Sequence, residues 1–194
     1  MEKTGVKSKH NSRVGLWDKS YQGELPRQVY DDPASAKIAG GFLNQEEIST
    51  VEDWGCGYGG FGKFIGKQQH YIGVDGSKSQ YASIIADLEH YSSRVDAIHM
   101  RHVLEHNPNW LSILKNSLHS FNKRMVLTLF TPFQKQTGLI ARYPNFNNTG
   151  VEMIDIGFAR QDIIKNFAGL KWFSIENIKT QTQYRIEHMF FLEK

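Results

Sequence analysis

The chain has 194 residues, 40% of them hydrophobic and 22% charged, which suits one globular domain with a single core. Its net charge of +3 is too slight to announce a nucleic-acid partner, and the lone Cys56 rules out an intrachain disulfide or a cysteine metal cluster. With no apolar run of about 18 residues and a polar Met1–Arg13, neither a membrane span nor a secretion signal is expected, so the expected location is cytoplasmic.

Residues 1–16 are polar and aperiodic and read as a flexible tail. Residues 17–50 form an N-terminal helical or lid segment. It carries Trp17, Tyr21 and Tyr30 around Pro26 and Asp31-Asp32-Pro33, aromatics placed either to fold back on the core or to cover a ligand, with a short helix over Ala34–Leu43. Residues 51–194 read as the main domain. It opens on Val51-Glu52-Asp53-Trp54 running into five glycines in the eight positions 55–62, a density that marks a tight turn where a ligand approaches the backbone. A short helix follows over Gly60–Lys67, with Phe61, Phe64 and Ile65 turned inward.

Tyr71–Val74 reads as the second strand, ending at Asp75, and Ile84–Leu88 as the third, carrying Asp87 near its end. Only residues 78–83 separate them, where a parallel pair ordinarily needs a crossover of about a dozen residues, so this connection must be a minimal extended loop. Val95–Arg101 is the fourth strand. A helix over Pro108–Phe121 shows Leu111, Leu114, Leu118 and Phe121 on one stripe, and Arg124–Phe130 is a strand apolar enough to be covered on both faces. Residues 134–157 hold Gly138, Pro144, Asn145, Asn147, Asn148 and Gly150 with little periodicity and read as a long functional loop. A helix over Gln161–Phe167 stops at Gly169. The runs Trp172–Lys179 and Gln183–Leu192 are joined too tightly to be anything but antiparallel.

The glycines match G-x-G-x-x-G at Gly55, Gly57 and Gly60, a weak signal for dinucleotide binding. Asp53 argues against that reading, because a carboxylate two residues upstream would repel a pyrophosphate and would instead favour a ligand whose near end is an ammonium. The pattern Asp53, Gly55, Gly57, Gly59 resembles motif I of the class I S-adenosylmethionine-dependent methyltransferases. The resemblance extends to Tyr71-Ile72-Gly73-Val74-Asp75-Gly76-Ser77, with Asp75 lying 20 residues after Gly55, and to Ile84–Leu88 and Val95–His106.

That resemblance implies an α/β, Rossmann-like, doubly wound, seven-stranded and mostly parallel sheet with a C-terminal antiparallel hairpin. It also implies S-adenosyl-L-methionine as cofactor. Asp53, Gly55, Cys56, Gly57 and Gly59 would receive its amino-acid end, Asp75, Gly76 and Ser77 its ribose, Asp87 and Leu88 its adenine, and Arg101 and His102 would complete the site. Cys56 reads as a small side chain in a turn rather than a nucleophile. His102 and His106 stand at i, i+4 with Glu105 between them, but H-E-x-x-H puts its Glu directly after the first His and the strand end splits off His99, so no metal is expected, whereas His102 or His106 suits a general base.

No (D/N/S)-P-P-(Y/F/W) tetrapeptide follows the fourth strand and no Pro-Cys pair exists, which sets DNA substrates aside. The expected partner is a small-molecule or glycan acceptor methylated on oxygen or nitrogen, held by the 134–157 loop and the N-terminal aromatics. Arg101 and Arg142 are candidates to hold an acidic acceptor. No nucleic acid or membrane is expected, and the protein should be a monomer or homodimer. The competing readings are a non-catalytic S-adenosylmethionine-binding protein and an NAD(P)-dependent oxidoreductase.

Overall fold

A computed structural model describes residues 15, 17–21, 33–146 and 152–194. The expected tail, apart from Gly15, lies outside the described residues, as do Pro26 and Tyr30. The elements in chain order are α1 (Asp18–Tyr21), α2 (Pro33–Leu43), β1 (Thr50–Trp54), β2 (His70–Asp75), β3 (Ile84–Ile85), β4 (Val95–Arg101), α3 (Trp110–Ser120), β5 (Phe121–Leu129), β6 (Gly138–Tyr143), β7 (Met153–Gly157), α4 (Arg160–Ile164), β8 (Trp172–Lys179) and β9 (Ile186–Glu193). Short 3-10 turns cover Gly60–Phe64, Leu104–His106 and Lys165–Phe167.

Seven strands form one sheet in the order β3-β2-β1-β4-β5-β9-β8. The first five pair in parallel, and β9 runs antiparallel to both β5 and β8. Strand order reverses at β1, whose neighbours are β2 and β4, which makes the carboxyl ends of these strands the topological switch point. This is where ligands bind in such sheets.

Alternate residues of each strand feed two cores. On one face Trp54, Ile98, Met100, Met125, Leu127 and Phe190 pack with Ile113 and Leu114 of α3 and with Ile154 and Ile156 of β7. On the other, Val51, Ala97, Val126, Met189 and Phe191 pack with Ala36, Ala39 and Leu43 of α2. Because β5 lies between two covered faces, Met125 to Leu129 are all fully buried, which explains its uninterrupted apolar run.

Two expectations need correction. The third strand is only Ile84–Ile85, and Asp87 lies beyond it in a turn capped by its own Oδ1, which accepts the Glu89 amide at 3.0 Å. The connection from β2 is too short to carry a helix, so it lies flat on the sheet: the Ser83 amide donates to the Gly73 carbonyl at 2.8 Å, and a Cβ on Gly73 would sit 2.1 Å from the Tyr81 carbonyl oxygen. Residues 134–157 are not a structureless loop either. They contain β6 and β7, paired antiparallel with a register shift between Leu139 and Ala141. The strand signal is weak because β6 is mostly exposed while every residue of β7 is buried, so neither strand alternates cleanly along its whole length.

Candidate active site

The site begins where β1 ends. Gly55, Gly57 and Gly59 adopt φ of 77°, 49° and 65°, left-handed conformations that side chains disfavour. Space forbids a side chain as well, since a Cβ on Gly55 would lie 2.4 Å from Val103 Cγ2. Gly60 shows neither constraint: its φ is not positive and a Cβ there would meet nothing within 4 Å. The constrained set is thus the alternating one that follows Asp53, not the dinucleotide spacing. The turn leads into a five-residue 3-10 segment and not into an α-helix, so the long helix N-terminus that would attract a pyrophosphate is missing.

Asp75 closes β2 beside this turn. Its Oδ2 accepts the Gly57 amide at 2.9 Å and its Oδ1 the Ser77 amide at 2.8 Å, and the residue is 5% exposed. Burial raises its pKa to about 6, against the opposing pull of those amides. Burial, with the carboxylates of Asp53 and Asp75, pushes the Cys56 thiol far up, so Cys56 is no nucleophile at neutral pH.

Asp53 is held by two side chains that the sequence did not single out for it. Its Oδ1 meets His99 Nδ1 at 2.7 Å and its Oδ2 accepts the Tyr71 hydroxyl at 2.7 Å. Phe61 stacks on the His99 ring at 3.6 Å. An ionised carboxylate offers about four lone-pair directions, so two remain for a cationic ligand.

The N-terminal segment lies across the same loops. The Gly15 amide donates to the Gly76 carbonyl at 2.7 Å, the Trp17 amide to Ser77 Oγ at 2.9 Å, and the Lys78 amide to Asp18 Oδ1 at 2.6 Å. Tyr58 donates its hydroxyl to the Ser20 carbonyl and meets Tyr21 edge to face. Trp17 also meets Phe146, beyond β6, at 5.5 Å. Leu88 is buried in the core beside α3 and its carbonyl accepts Asn116 Nδ2 at 3.0 Å.

The histidines separate onto different carboxylates: His99 on Asp53, His102 on Glu187 and His106 on Asp155. Among the described residues no three His, Cys, Asp or Glu side chains converge as metal ligands. His102 follows β4 with a φ of 58° and meets Glu187 Oε1 at 2.5 Å, the same oxygen that Arg101 reaches at 2.6 Å. Burial lowers the His102 pKa to about 4 despite that carboxylate. Arg101 is thereby neutralised within the fold, and exposed Arg142 pairs with Glu152, so both arginines already have acidic partners.

His106 Nδ1 donates to the Ile154 carbonyl at 2.9 Å and lies 3.3 Å from Asp155 Oδ1. Burial works against its charge, but Asp155, Glu105 and the Ile154 carbonyl outweigh it and raise its pKa. Glu187 and Asp155 escaped the sequence reading. The signal that could have found them is a carboxylate set inward within an apolar strand, as in Met153-Ile154-Asp155-Ile156 and Ile186-Glu187-His188-Met189, since such groups are rarely buried without a partner.

A Rossmann-like sheet with a glycine turn at the switch point and an acid closing the next strand defines the nucleoside-cofactor class of α/β proteins. A family model described as a methyltransferase domain matches residues 30–180, and the chain belongs to that family. No curated protein matches it by sequence. Among solved structures it is similar to Burkholderia thailandensis 1,6-didemethyltoxoflavin N1-methyltransferase with bound 1,6-didemethyltoxoflavin and S-adenosylhomocysteine, at 15% identity and TM-score 0.71 over 100% of this chain and 93% of that one. It is also similar to the magnesium protoporphyrin IX methyltransferase of Synechocystis PCC 6803 with bound S-adenosylmethionine, at 16% identity and TM-score 0.55 over 82% and 75%. The amino pentose methyltransferase of Micromonospora echinaspora, with S-adenosylmethionine bound, gives 12% identity and TM-score 0.53 over 92% and 97%.

Proposed function

We propose that the protein transfers a methyl group from S-adenosylmethionine to an oxygen or nitrogen of a small-molecule or glycan acceptor. The carrying observation is Asp75, a buried carboxylate at the tip of β2 that accepts the Gly57 amide from the constrained glycine turn. A carboxylate there can accept from two neighbouring ribose hydroxyls by charge-assisted bonds. The remaining lone pairs of Asp53, with the backbone of Gly55, Cys56, Gly57 and Gly59, receive the amino-acid end. Gly76 and Ser77 flank the sugar, and Asp87 and Leu88 stand on the adenine side.

When bound, S-adenosylmethionine supplies an electrophilic methyl group, and much of the acceleration of such a displacement comes from holding the reactants in line. The chain's own contribution on the acceptor side is His106, which takes the acceptor's proton. His102 is the weaker candidate, since its Nε2 is committed to Glu187. It and Arg101 shape the wall of the cofactor site. Replacing His106 with alanine should lower kcat by about 100-fold or more, the usual worth of general-base catalysis, with unchanged S-adenosylhomocysteine affinity. An unaltered kcat would remove His106 from the mechanism.

The deciding experiment is thermal protection by S-adenosylhomocysteine and by NADH, followed by S-adenosylhomocysteine formation across a panel of acceptors. Protection by the first and turnover of a hydroxyl or amine acceptor are expected. Protection by NADH alone overturns the reading, and tight binding without turnover assigns a non-catalytic binding role.

A further inference from the structure

Asp155 is fully buried on β7 and gathers side chains from three separate parts of the chain. Its Oδ2 accepts the Tyr184 hydroxyl, from the turn between β8 and β9, at 2.9 Å and the Tyr143 hydroxyl, from β6, at 3.3 Å. Its Oδ1 has no well-aligned hydrogen-bond donor among the described residues, and 3.3 Å away stands Nδ1 of His106. A buried, unsatisfied carboxylate oxygen is costly, so a fold that keeps one beside an imidazole gains from any ring orientation or charge state that satisfies it.

We propose, resting on the methyl-transfer reading above, that Asp155 is the positioning residue for His106, with Tyr143 and Tyr184 fixing the carboxylate and the carboxylate fixing the ring. With Nδ1 committed to the Ile154 carbonyl and Asp155, the neutral ring carries its hydrogen on Nδ1 and its lone pair on Nε2. The proton that the acceptor gives up on methylation passes to Nε2, and Asp155 balances the resulting imidazolium, which then releases the proton to solvent. The β6–β7 pair therefore supplies the group that prepares the base.

Among the described residues, the charged and titratable groups facing His106 include Asp155 from β7, adjacent Glu105 in its own 3-10 turn, and His102 at the end of β4, with Tyr143 and Tyr184 acting through Asp155 and Glu187 acting through His102. Phe130, after β5, lies against both rings, at 4.7 Å from His102 and 5.4 Å from His106. Among the described residues Asp155 is thus a carboxylate beside His106 that does not neighbour it in sequence, and removing its charge should be read directly at that ring.

The test is an NMR titration of the His106 ring in the wild type, Asp155→Asn and Tyr184→Phe. Asp155→Asn should lower the His106 midpoint by about one pH unit or more. Tyr184→Phe leaves Asp155 its charge with one donor fewer and should keep the midpoint at or above that of the wild type. A purely structural carboxylate would destabilise the fold without moving the midpoint, so an unmoved midpoint in Asp155→Asn overturns the proposal. Should Asp155→Asn not fold, a Tyr184→Phe midpoint below the wild type overturns it instead. The outcomes separate from those of the parent reading: a midpoint that moves while His106→Ala keeps full kcat upholds the pairing and removes the base.

Discussion

Replacing Asp75 with alanine is expected to weaken S-adenosylhomocysteine binding by about 100-fold or more, because it removes two charge-assisted hydrogen bonds worth ~1.5–3 kcal/mol each. It also frees the Gly57 and Ser77 amides that the carboxylate now holds. The fold should survive. The pKa of Asp75 is raised from 3.8 to about 6, so its ionisation opposes folding at neutral pH, a cost fully present above about 6 and fading as pH falls toward 3.8. The unfolding midpoint of Asp75→Ala at pH 7 should therefore move little, the relief of that cost offsetting the two amides left without their acceptor. In the wild type, cofactor affinity should drop as pH falls through about 6, where the carboxylate takes up a proton and loses acceptor capacity. Calorimetric titration at pH 5 and pH 8 checks both statements, and affinity within tenfold of wild type in the variant would remove Asp75 from the site.

The second large effect is on stability. Glu187 is fully buried on β9, balances the charge of Arg101 and hydrogen-bonds the His102 ring. Glu187→Ala should cost up to ~3–5 kcal/mol, because it leaves a largely buried guanidinium without its carboxylate partner. Burial raises the carboxyl's pKa, but His102 and Arg101 outweigh it and hold it at about 2, so its stabilising contribution is present above the ordinary value of 4.5 and is lost as pH falls from 4.5 toward 2. His102, held at about 4, adds acid sensitivity in the range from 6.5 down to 4, where the unfolded chain takes up a proton that the folded one refuses. Chemical denaturation of the variant and the wild type at pH 7 is the measurement. A loss near 0.5 kcal/mol, typical of a surface substitution, would show that the pair does not hold β4 to β9.

What could be read from the chain follows the range of the interactions involved. Asp53, the glycines and Asp75 were legible because strand, turn and acid are local in sequence, and a turn needing left-handed backbone leaves a glycine signature. The paired C-terminal strands were legible from the short joint between them. The partners of those residues were not. Glu187 meets Arg101 across 86 sequence positions, and Asp155 meets His106 only because β7 lies against the turn after β4. The carboxylate oxygens of Asp53 are shared with Tyr71 and His99 through parallel pairings of β1 with β2 and β4, and nothing in the spacing of these residues reveals it. The β6–β7 pair was hidden by glycine, proline and asparagine in and between its strands, and the brevity of β3 by a run of apolar residues longer than the pairing it makes.

The flattened connection between β2 and β3 also constrains how this chain can vary. Tyr81 stands where a helix would otherwise begin: its backbone presses on Gly73, and a Cβ on Gly59 would come within 2.5 Å of its ring. Loop length and those two glycines are therefore sterically coupled through Tyr81. A full helical crossover in place of the shortcut would lift the Tyr81 backbone from Gly73, whereas Gly59 would still be held to glycine by its left-handed φ of 65°.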